Sequence, residues 1–432
     1  MIEGFSKQFI KIYNTIDEYP LNFVLGLSGG VDSTALLILL RDFIQIHPSI
    51  NINIYPVIID HGLRSNSSTE ANAVKEMAQS LGFNPTIKRI IQKQNIGNIQ
   101  NWARIARRDL LYQSAFSLSA NLLLAHHYDD QVETVFMRLI RGSGIEGLLG
   151  MKDLHFWKGI FVIRPLLNFK KEDLIKYVKL NKVSFFQDPS NYALKYERVK
   201  IRKTLSDMSL RIWPNISNDL TKLNLMNKKL VSITNPIFAK WIEENIVIDK
   251  TGAARINFDN LRMLFNKSNI VSVNILGKVL QIVGGKEYPP KKKKTLTMLV
   301  SIFSKSFKKN NLGNVYSLLN GKFIFLIREE RNLFFDMEVE KNKYYMFDGR
   351  FLLFSNVSGK LLRDKNFVSS NLNEDSIFFK YKKYINYTIP IIETLEGKII
   401  KPYLSIISDV SFKKEKIENG YFGLYLINRL LV

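Results

Sequence analysis

The sequence predicts an α/β protein in which a parallel-sheet domain is followed by a helical, basic part and by a small β-rich C-terminal part. Two observations support this prediction. Between residues 22 and 140, short apolar runs of strand length alternate with helical patterns, which is typical of a parallel sheet covered by helices on both faces. Beyond Pro189 this alternation stops; a long helical pattern follows, and from Asn311 the residues alternate as they do in β-strands.

Each element of the first half has its own signal. The first strand is the apolar run at 23–27, which ends just before two glycines, and a helical pattern extends from 33 to about 46. Further strands are predicted at 52–60, 86–91 and 121–125, and further helices at 68–81, 99–118 and 129–140. Because a helix separates each pair of strands, we expect the strands to be parallel and to end at the same edge of the sheet.

The remaining residues complete a prediction of three domains. A helical pattern at 196–244 is interrupted near Trp213-Pro214, and residues 250–310 combine short helices with basic runs, including four lysines at 291–294. A chain of 432 residues has room for two or three domains. We predict an α/β domain at 1–215, a mostly helical domain at 216–340 and a small C-terminal domain at 341–432.

Composition limits the classes of function. The chain has 62 Lys and Arg against 39 Asp and Glu, a net charge of +23. Such an excess favours a polyanionic partner such as nucleic acid, because neutralised phosphates release counterions; drift in an AT-rich genome is the alternative. The absence of cysteine excludes disulfides, thiolate zinc sites and iron–sulfur clusters. No apolar stretch reaches the roughly 20 residues that cross a bilayer, so we expect a soluble, cytoplasmic protein without a membrane partner.

The strongest motif is SGGVDS at residues 28–33, between the first strand and the first helix. Its glycines let the backbone approach an anion, and serine hydroxyls and helix N-terminal amides supply donors. It is neither a Walker A loop nor a dinucleotide-binding GxGxxG pattern. An ordinary strand-to-helix turn capped by a serine is the alternative. We predict that the nucleotide contacts Ser28, Gly29, Gly30, Val31, Asp32 and Ser33.

SGGVDS resembles the PP-loop of the N-type ATP pyrophosphatases, which cleave ATP to AMP and pyrophosphate. Within that superfamily, residues 20–215 resemble the tRNA(Ile)-lysidine synthetases. The matching motifs are DHGLR at 60–64, EA at 70–71, ARIAR at 103–107, AHHYDDQVET at 125–134, RGSG at 141–144, GL at 147–148, RPLL at 164–167 and DPSN at 188–191. The sequence departs from the family where Arg108 replaces a usual Tyr, where RVKIR replaces RNxIR at 198–202, and in the weakly matching C-terminal third.

The resemblance implies a PP-loop ATP pyrophosphatase domain at 1–215 and two accessory domains that bind tRNA. It implies a ligase that uses ATP and Mg²⁺ to activate the C2 oxygen of the wobble cytidine in a CAU-anticodon isoleucine tRNA. The ε-amine of free lysine then displaces AMP and forms lysidine, which changes codon reading from AUG to AUA. The assembly is left open between a monomer and a homodimer.

An acidic cluster follows the strand at 121–125. Asp130 and Glu133 are three residues apart and share one face of a helix. With the phosphate loop, the cluster is expected at the carboxyl edge of the sheet, where α/β proteins bind ligands. It could hold Mg²⁺ beside a triphosphate or bind a lysine ammonium; carboxylates that only stabilise a helix dipole are the alternative. The predicted catalytic residues are Asp32, Arg104, His127, Asp129, Asp130 and Glu133, with Asp32, Asp129 and Asp130 as Mg²⁺ ligands.

Basic residues supply the remaining expectations. Arg104 and Arg107 are three apart on a helix and could face the nucleotide together, with Arg104 stabilising charge on the activated base. The lysines at 291–294 are either a solvated run or a tRNA contact. The predicted tRNA-binding residues are Arg198, Lys200, Arg202 and Lys203.

Three other functions compete with the ligase. A PP-loop tRNA thiolase needs cysteines, and this chain has none. A PP-loop amidating synthetase would not need a charge of +23 or the DHGLR motif. A non-catalytic RNA-binding protein on the same fold is the third alternative, but loss of activity should first erode demanding motifs such as SGGVDS and DDQVET.

Overall fold

A computed structural model describes most of the chain. It covers residues 1–16, 22–62, 67–90, 99–145, 147–157, 160–186, 197–249, 251–331, 333, 337–341, 343–355, 357–363, 379–381, 384–385, 388, 390–400 and 422–424. The chain forms two compact units, Met1–Ser232 and Ile233–Val432.

The first unit is built on a six-stranded sheet. Its strands are β1 (Asn22–Leu27), β2 (Asn53–Asp60), β3 (Thr86–Arg89), β4 (Asn121–Leu123), β5 (Leu154–Trp157) and β6 (Ile160–Ile163). Their spatial order is β3-β2-β1-β4-β6-β5. The first five in this order are parallel neighbours, and β5 pairs antiparallel with β6 at the edge.

Helices cover both faces of this sheet. The helices that begin in this unit are α1 (Ile2–Thr15), α2 (Val31–Ile46), α3 (Ser67–Ser80), α4 (Ile99–Ser117), α5 (Tyr128–Ile140), α6 (Lys171–Leu180), α7 (Glu197–Arg211) and α8 (Ile216–Asn245). Of these, α7 and α8 pack against α5, and α8 continues into the second unit. The central strand shows why both faces are covered, because neighbouring side chains on a strand point to opposite faces. Phe23 and Leu25 pack in a core cluster with α1, α2 and α6, whereas Val24 packs with Leu111 and Ala115 of α4.

The second unit combines helices with antiparallel sheets. Its helices are α9 (Phe258–Lys267), α10 (Asn269–Val283) and α11 (Lys292–Ile302). One sheet has the order β7-β8-β11-β10-β9, with β7 (Ile246–Ile248), β8 (Ala254–Asn257), β9 (Lys309–Leu312), β10 (Val315–Asn320) and β11 (Phe323–Arg328). Two smaller sheets use β12 (Met337–Val339), β13 (Lys343–Phe347), β14 (Phe351–Ser355), β15 (Gly359–Arg363), β16 (Pro390–Thr394), β17 (Ile399–Ile400) and β18 (Phe422–Leu424).

A buried charge cluster lies in the second unit. The carboxylate of Asp348 accepts two hydrogen bonds from Arg328, at 2.9 and 2.8 Å, and one from Arg350 at 2.7 Å. Both guanidinium groups are almost fully buried. Arg350 also donates to the Thr388 carbonyl at 2.7 Å, so its charge is hydrogen-bonded on several sides, as a buried charge requires.

The predicted fold class is confirmed: the sheet of the first unit is mainly parallel, and antiparallel sheets follow a helical middle part. The break predicted near Trp213-Pro214 lies between α7 and α8, which is also confirmed. The strands β5, β6, β7 and β8 and the helices α1 and α6 were not predicted. The domain boundaries at 215 and 340 stay predictions. In the part of the chain that the structure describes, no helix is long and apolar enough to cross a membrane.

Candidate active site

The SGGVDS loop lies between the end of β1 and the start of α2, at the carboxyl edge of the parallel strands. Gly30 is the N-cap residue of α2 and has extended backbone angles, φ −71° and ψ 159°. The first amides of a helix have no partner within the helix, and the helix dipole favours negative charge beside them. The start of α2 is therefore suited to bind an anion.

Hydrogen bonds within the loop fix its shape. The Ser33 hydroxyl accepts from the Ser28 backbone N–H at 3.2 Å, donates to the Gly30 carbonyl at 3.1 Å and lies 3.1 Å from the Ser28 hydroxyl. Gly29 has φ +75°, and a Cβ atom there would lie 2.3 Å from Cγ2 of Val74. The loop therefore requires glycine at 29, and the buried Ser33 side chain stabilises the loop from inside.

A cavity of about 320 Å³ opens beside this loop. Its size lies at the lower end of the range for small-molecule sites, about 300–1,000 Å³. The ends of β1 and β2 form its floor, and Arg107 of α4 contributes a cationic side chain whose pKa burial lowers. The polar lining residues, besides those of the loop, are Asp60, His61, Ser67, Glu70 and Arg107.

The acidic cluster assembles around His127, at the start of α5. Its Nε2 atom lies 3.5 Å from Oδ1 of Asp32 and 3.5 Å from Oδ2 of Asp130, and its Nδ1 atom lies 3.4 Å from Oδ2 of Asp129. The structure thus brings together four predicted catalytic residues. The Asp130 carboxylate also accepts from the His127 backbone N–H at 3.2 Å, which fixes the first turn of α5.

These contacts set the charge of the cluster. Burial alone would lower the pKa of His127, but Asp129, Asp32 and Asp130 outweigh burial and raise that pKa to about 10. For Asp32 and Asp129, burial acts to raise the pKa, and the contacts with His127 outweigh it, so both pKa values lie below the ordinary value. At neutral pH an imidazolium therefore lies among ionised carboxylates.

Glu133 occupies a different environment on the same helix. Its side chain is only 3 % exposed, and its Oε1 atom accepts a hydrogen bond at 2.7 Å from Nε of Arg202, on α7. The other oxygen, Oε2, is buried without a hydrogen-bond partner among the residues described. Burial raises the pKa of Glu133, although Arg202 acts in the opposite direction.

The other predicted basic residues differ in exposure and in what they contact. On α4, Arg104 is exposed, whereas Arg107 lines the cavity. On α7, Lys200 and Lys203 are exposed, whereas Arg202 contacts Glu133. Arg198 is half-buried, and the four lysines at 291–294 are exposed at the start of α11.

The structure adds residues that the motifs did not single out. Lys171 lies with its Nζ atom 3.7 Å from Oδ2 of Asp32. Phe186 lines the cavity, and its backbone N–H donates to the Gly29 carbonyl at 2.9 Å. Asp60 belongs to the DHGLR motif but was given no role by the sequence analysis. Its carboxylate accepts hydrogen bonds from the Gly62 N–H and the Ser68 hydroxyl. The end of DHGLR and all of DPSN lie outside the described residues.

Several carboxylates are available to a metal ion that arrives with a nucleotide. Within the described ranges, no group of three or more His, Cys, Asp or Glu is arranged to hold a metal by itself. Mg²⁺, however, usually takes one or two protein carboxylates together with phosphate oxygens and waters. The Oδ1 atom of Asp32 is buried, and its 3.5 Å contact with Nε2 of His127 is an ion pair without a hydrogen bond, so this oxygen can still join such a set of ligands.

Comparisons with known proteins place this site in context. Residues 1–208 match the model of the PP-loop domain family. The tRNA(Ile)-lysidine synthase of Orientia tsutsugamushi is 29% identical over 429 residues, which cover 93% of each chain. That of Wolbachia pipientis is 31% identical over 336 residues, 75% of this chain and 74% of the relative. That of Rickettsia typhi is 29% identical over 407 residues, 91% of this chain and 92% of the relative.

Proposed function

The chain belongs to the tRNA(Ile)-lysidine synthase family, and from this membership we propose that it ligates lysine to a tRNA at the expense of ATP. The acceptor is C2 of the wobble cytidine in a CAU-anticodon isoleucine tRNA. The product, lysidine, changes codon reading from AUG to AUA. The observation that carries the proposal is the contact of His127 with Asp32 of the SGGVDS loop and with Asp129, at one edge of the sheet.

The first step is activation of the base by ATP. The amides at the start of α2 bind the triphosphate, and the adjacent cavity receives the nucleoside. The C2 oxygen of cytidine attacks the α-phosphate, which gives an adenylated base and releases pyrophosphate. Arg107 lines the cavity and is proposed to stabilise negative charge there, together with Arg104, three residues away on the same helix.

Mg²⁺ would be held by Asp32 with Asp129 or Asp130, and when bound it neutralises charge on the phosphates. The residues of the chain have their own electrostatic task at this point. His127, held cationic by the surrounding carboxylates, keeps the net negative charge of the cluster low. A triphosphate can therefore approach three aspartates that would otherwise repel it.

The second step is attack by lysine. Its ε-amine displaces AMP from C2, and the amine must lose a proton before or during the attack. Glu133 is suited to bind the ammonium because its buried Oε2 has no hydrogen-bond partner among the described residues. Its raised pKa also makes it a better proton acceptor than an ordinary carboxylate.

Binding of the tRNA relies on positive charge. The exposed lysines of α7, Lys200 and Lys203, and the half-buried Arg198 are the proposed contacts in the first unit. Arg202 is proposed to act closer to the chemistry, because Glu133 already holds its guanidinium. The four lysines at 291–294 offer a further contact for phosphates. We place the enzyme in the cytoplasm, where its tRNA is found, as a monomer or a homodimer.

The proposal is tested by offering the enzyme a choice of tRNA. Purified protein is incubated with ATP, Mg²⁺, radiolabelled lysine and unmodified tRNA transcripts. We expect label in the CAU-anticodon isoleucine tRNA and none in a matched transcript whose wobble cytidine is replaced by uridine. Equal labelling of both transcripts, or none of either by folded protein, contradicts the proposal.

A further inference from the structure

A lysine outside every predicted site, Lys171, lies beside the phosphate loop. It is the first residue of α6. Its backbone N–H donates to Oδ2 of Asp129 at 2.9 Å, and its Nζ atom lies 3.7 Å from Oδ2 of Asp32. A single residue therefore contacts acidic residues from the first turns of both α2 and α5.

Three helices begin around this residue. The contacts of Lys171 with Asp32 and Asp129 bring the first turns of α2, α5 and α6 together. Each helix N-terminus carries partial positive charge, which favours anions within about one turn. The ammonium of Lys171 adds a full positive charge at the same place.

The neighbouring lysine differs in its contacts. The Nζ atom of Lys170 lies 3.9 Å from Oε1 of Glu172, and its side chain is 54 % exposed, compared with 36 % for Lys171. Of these two adjacent lysines, Lys171 reaches the acidic cluster and Lys170 pairs with a surface carboxylate. The position of Lys171 is therefore specific and does not follow from the basic composition of the surface.

The contact between Lys171 and Asp32 is easily exchanged for another. The distance between Nζ of Lys171 and Oδ2 of Asp32 exceeds that of a hydrogen bond, and both side chains remain partly accessible to water. The ion pair therefore contributes little stabilisation. Asp32 is in the first turn of the helix whose amides are proposed to bind the triphosphate. The flexible stem of lysine lets its ammonium move from a carboxylate to a nearby phosphoryl oxygen without movement of the main chain.

We propose that Lys171 binds phosphoryl oxygens of ATP and of the departing pyrophosphate, as an anchoring residue beside the SGGVDS loop. On binding, its ammonium leaves Asp32 for phosphate, and an oxygen of Asp32 becomes available to other ligands. This assignment rests on the proposed function, because it takes the loop to be the triphosphate site.

The test compares two adjacent lysines. Affinities for a non-hydrolysable ATP analogue and for inorganic pyrophosphate, each with Mg²⁺, are measured by calorimetry on the full chain. We expect Lys171→Met to bind both ligands about 10- to 100-fold more weakly, the usual effect of losing a charged hydrogen bond. Lys171→Arg should recover most of the affinity, and Lys170→Met should resemble the wild type.

Each other outcome overturns the assignment. If Lys171→Met binds both ligands as tightly as the wild type, or more tightly, Lys171 only neutralises Asp32. If Lys171→Met unfolds at a lower temperature than the wild type, Lys171→Gln is measured instead. A wild-type affinity of Lys171→Gln for both ligands also contradicts the assignment. A wild-type protein that binds neither ligand overturns the proposed function itself, which separates that failure from the failure of Lys171 alone.

Discussion

The Nε atom of Arg202 lies 2.7 Å from Oε1 of Glu133, so a residue predicted for tRNA binding holds a residue predicted to be catalytic. Glu133 is buried and Arg202 is partly exposed, which makes Arg202 the outer member of the pair. The helix α7 therefore contacts α5 through one of the predicted catalytic carboxylates. The other oxygen, Oε2 of Glu133, is buried without a hydrogen-bond partner among the described residues.

This pair leads to a prediction about the second step of the reaction. Glu133→Gln removes the attraction for an ammonium with little change of volume, so we expect lysine incorporation to fall by about 100-fold or more while pyrophosphate release continues. Asp130→Asn, which affects the carboxylate beside His127, should instead slow pyrophosphate release. The two products are followed separately at saturating ATP. Failure of both variants at the same step would mean that the cluster acts as one unit.

The phosphate loop gives a prediction with a matched control. In Gly29→Ala, the new Cβ would meet Val74 at 2.3 Å in a backbone with φ +75°. We expect the loop to shift and the affinity for an ATP analogue to fall by at least about tenfold. Gly82→Ala introduces a comparable strain at φ +87° but has open space around it, so its affinity should stay at the wild-type level. Equal affinities of the two variants would contradict the close-approach argument.

Removal of the second unit is expected to separate ATP binding from tRNA binding. A fragment of residues 1–232 should bind the ATP analogue like the full chain and bind tRNA at least about tenfold more weakly, because it lacks the proposed phosphate contacts of the second unit. Both affinities are measured at the same salt concentration. Undiminished tRNA affinity of the fragment would contradict an accessory role for the second unit.

A fragment that ends at the predicted domain boundary, residue 215, is expected to be less stable than the fragment 1–232. Ile216 and Leu220 are buried, and they pack against Val132, Val135 and Phe136 of α5. A chain ending at 215 would expose the apolar face of α5 that these residues cover. This exposure lowers the free energy of unfolding by about 1.5–3 kcal/mol for each large side chain left uncovered. We therefore expect the fragment 1–215 to unfold at a lower denaturant concentration than the fragment 1–232.

Asp348 is expected to matter for stability alone. Its removal leaves the buried guanidinium groups of Arg328 and Arg350 without their carboxylate. We expect Asp348→Ala to lower the free energy of unfolding of the second unit by about 3–5 kcal/mol, the usual cost of breaking a buried ion pair. Urea unfolding measures this loss. An ATP-analogue affinity that falls with it would contradict a purely structural role of Asp348.

The sequence predicted those parts of the site that depend on local pattern. The strand at 23–27 followed by SGGVDS placed the loop at a strand end, and the three-residue spacing of Asp130 and Glu133 placed both on one helix face. The motif placed His127 next to these carboxylates in the chain. The parallel order of the strands then brought Asp32 to the same edge of the sheet as His127.

Other features depended on tertiary packing that local pattern does not contain. Lys171 is distant in sequence from Asp32, and nothing in its neighbourhood distinguishes it from Lys170. The burial of Glu133 follows from the packing of α7 on α5, which a spacing rule does not predict. The antiparallel edge pair β5 and β6 was missed because the prediction relied on a helix between successive strands, whereas β6 follows β5 directly.

The most direct test of the central claim is identification of the modified nucleoside itself. The CAU-anticodon isoleucine tRNA is treated with enzyme, ATP, Mg²⁺ and isotopically labelled lysine, and is then digested and analysed by mass spectrometry. We expect labelled lysine joined to cytidine from the wobble position, and none with Asp32→Ala, which removes a carboxylate beside the phosphate loop. Glu172→Gln, a change at an exposed site on α6, should leave the yield unchanged. Unmodified cytidine after treatment with folded, ATP-binding wild-type enzyme would contradict the assignment.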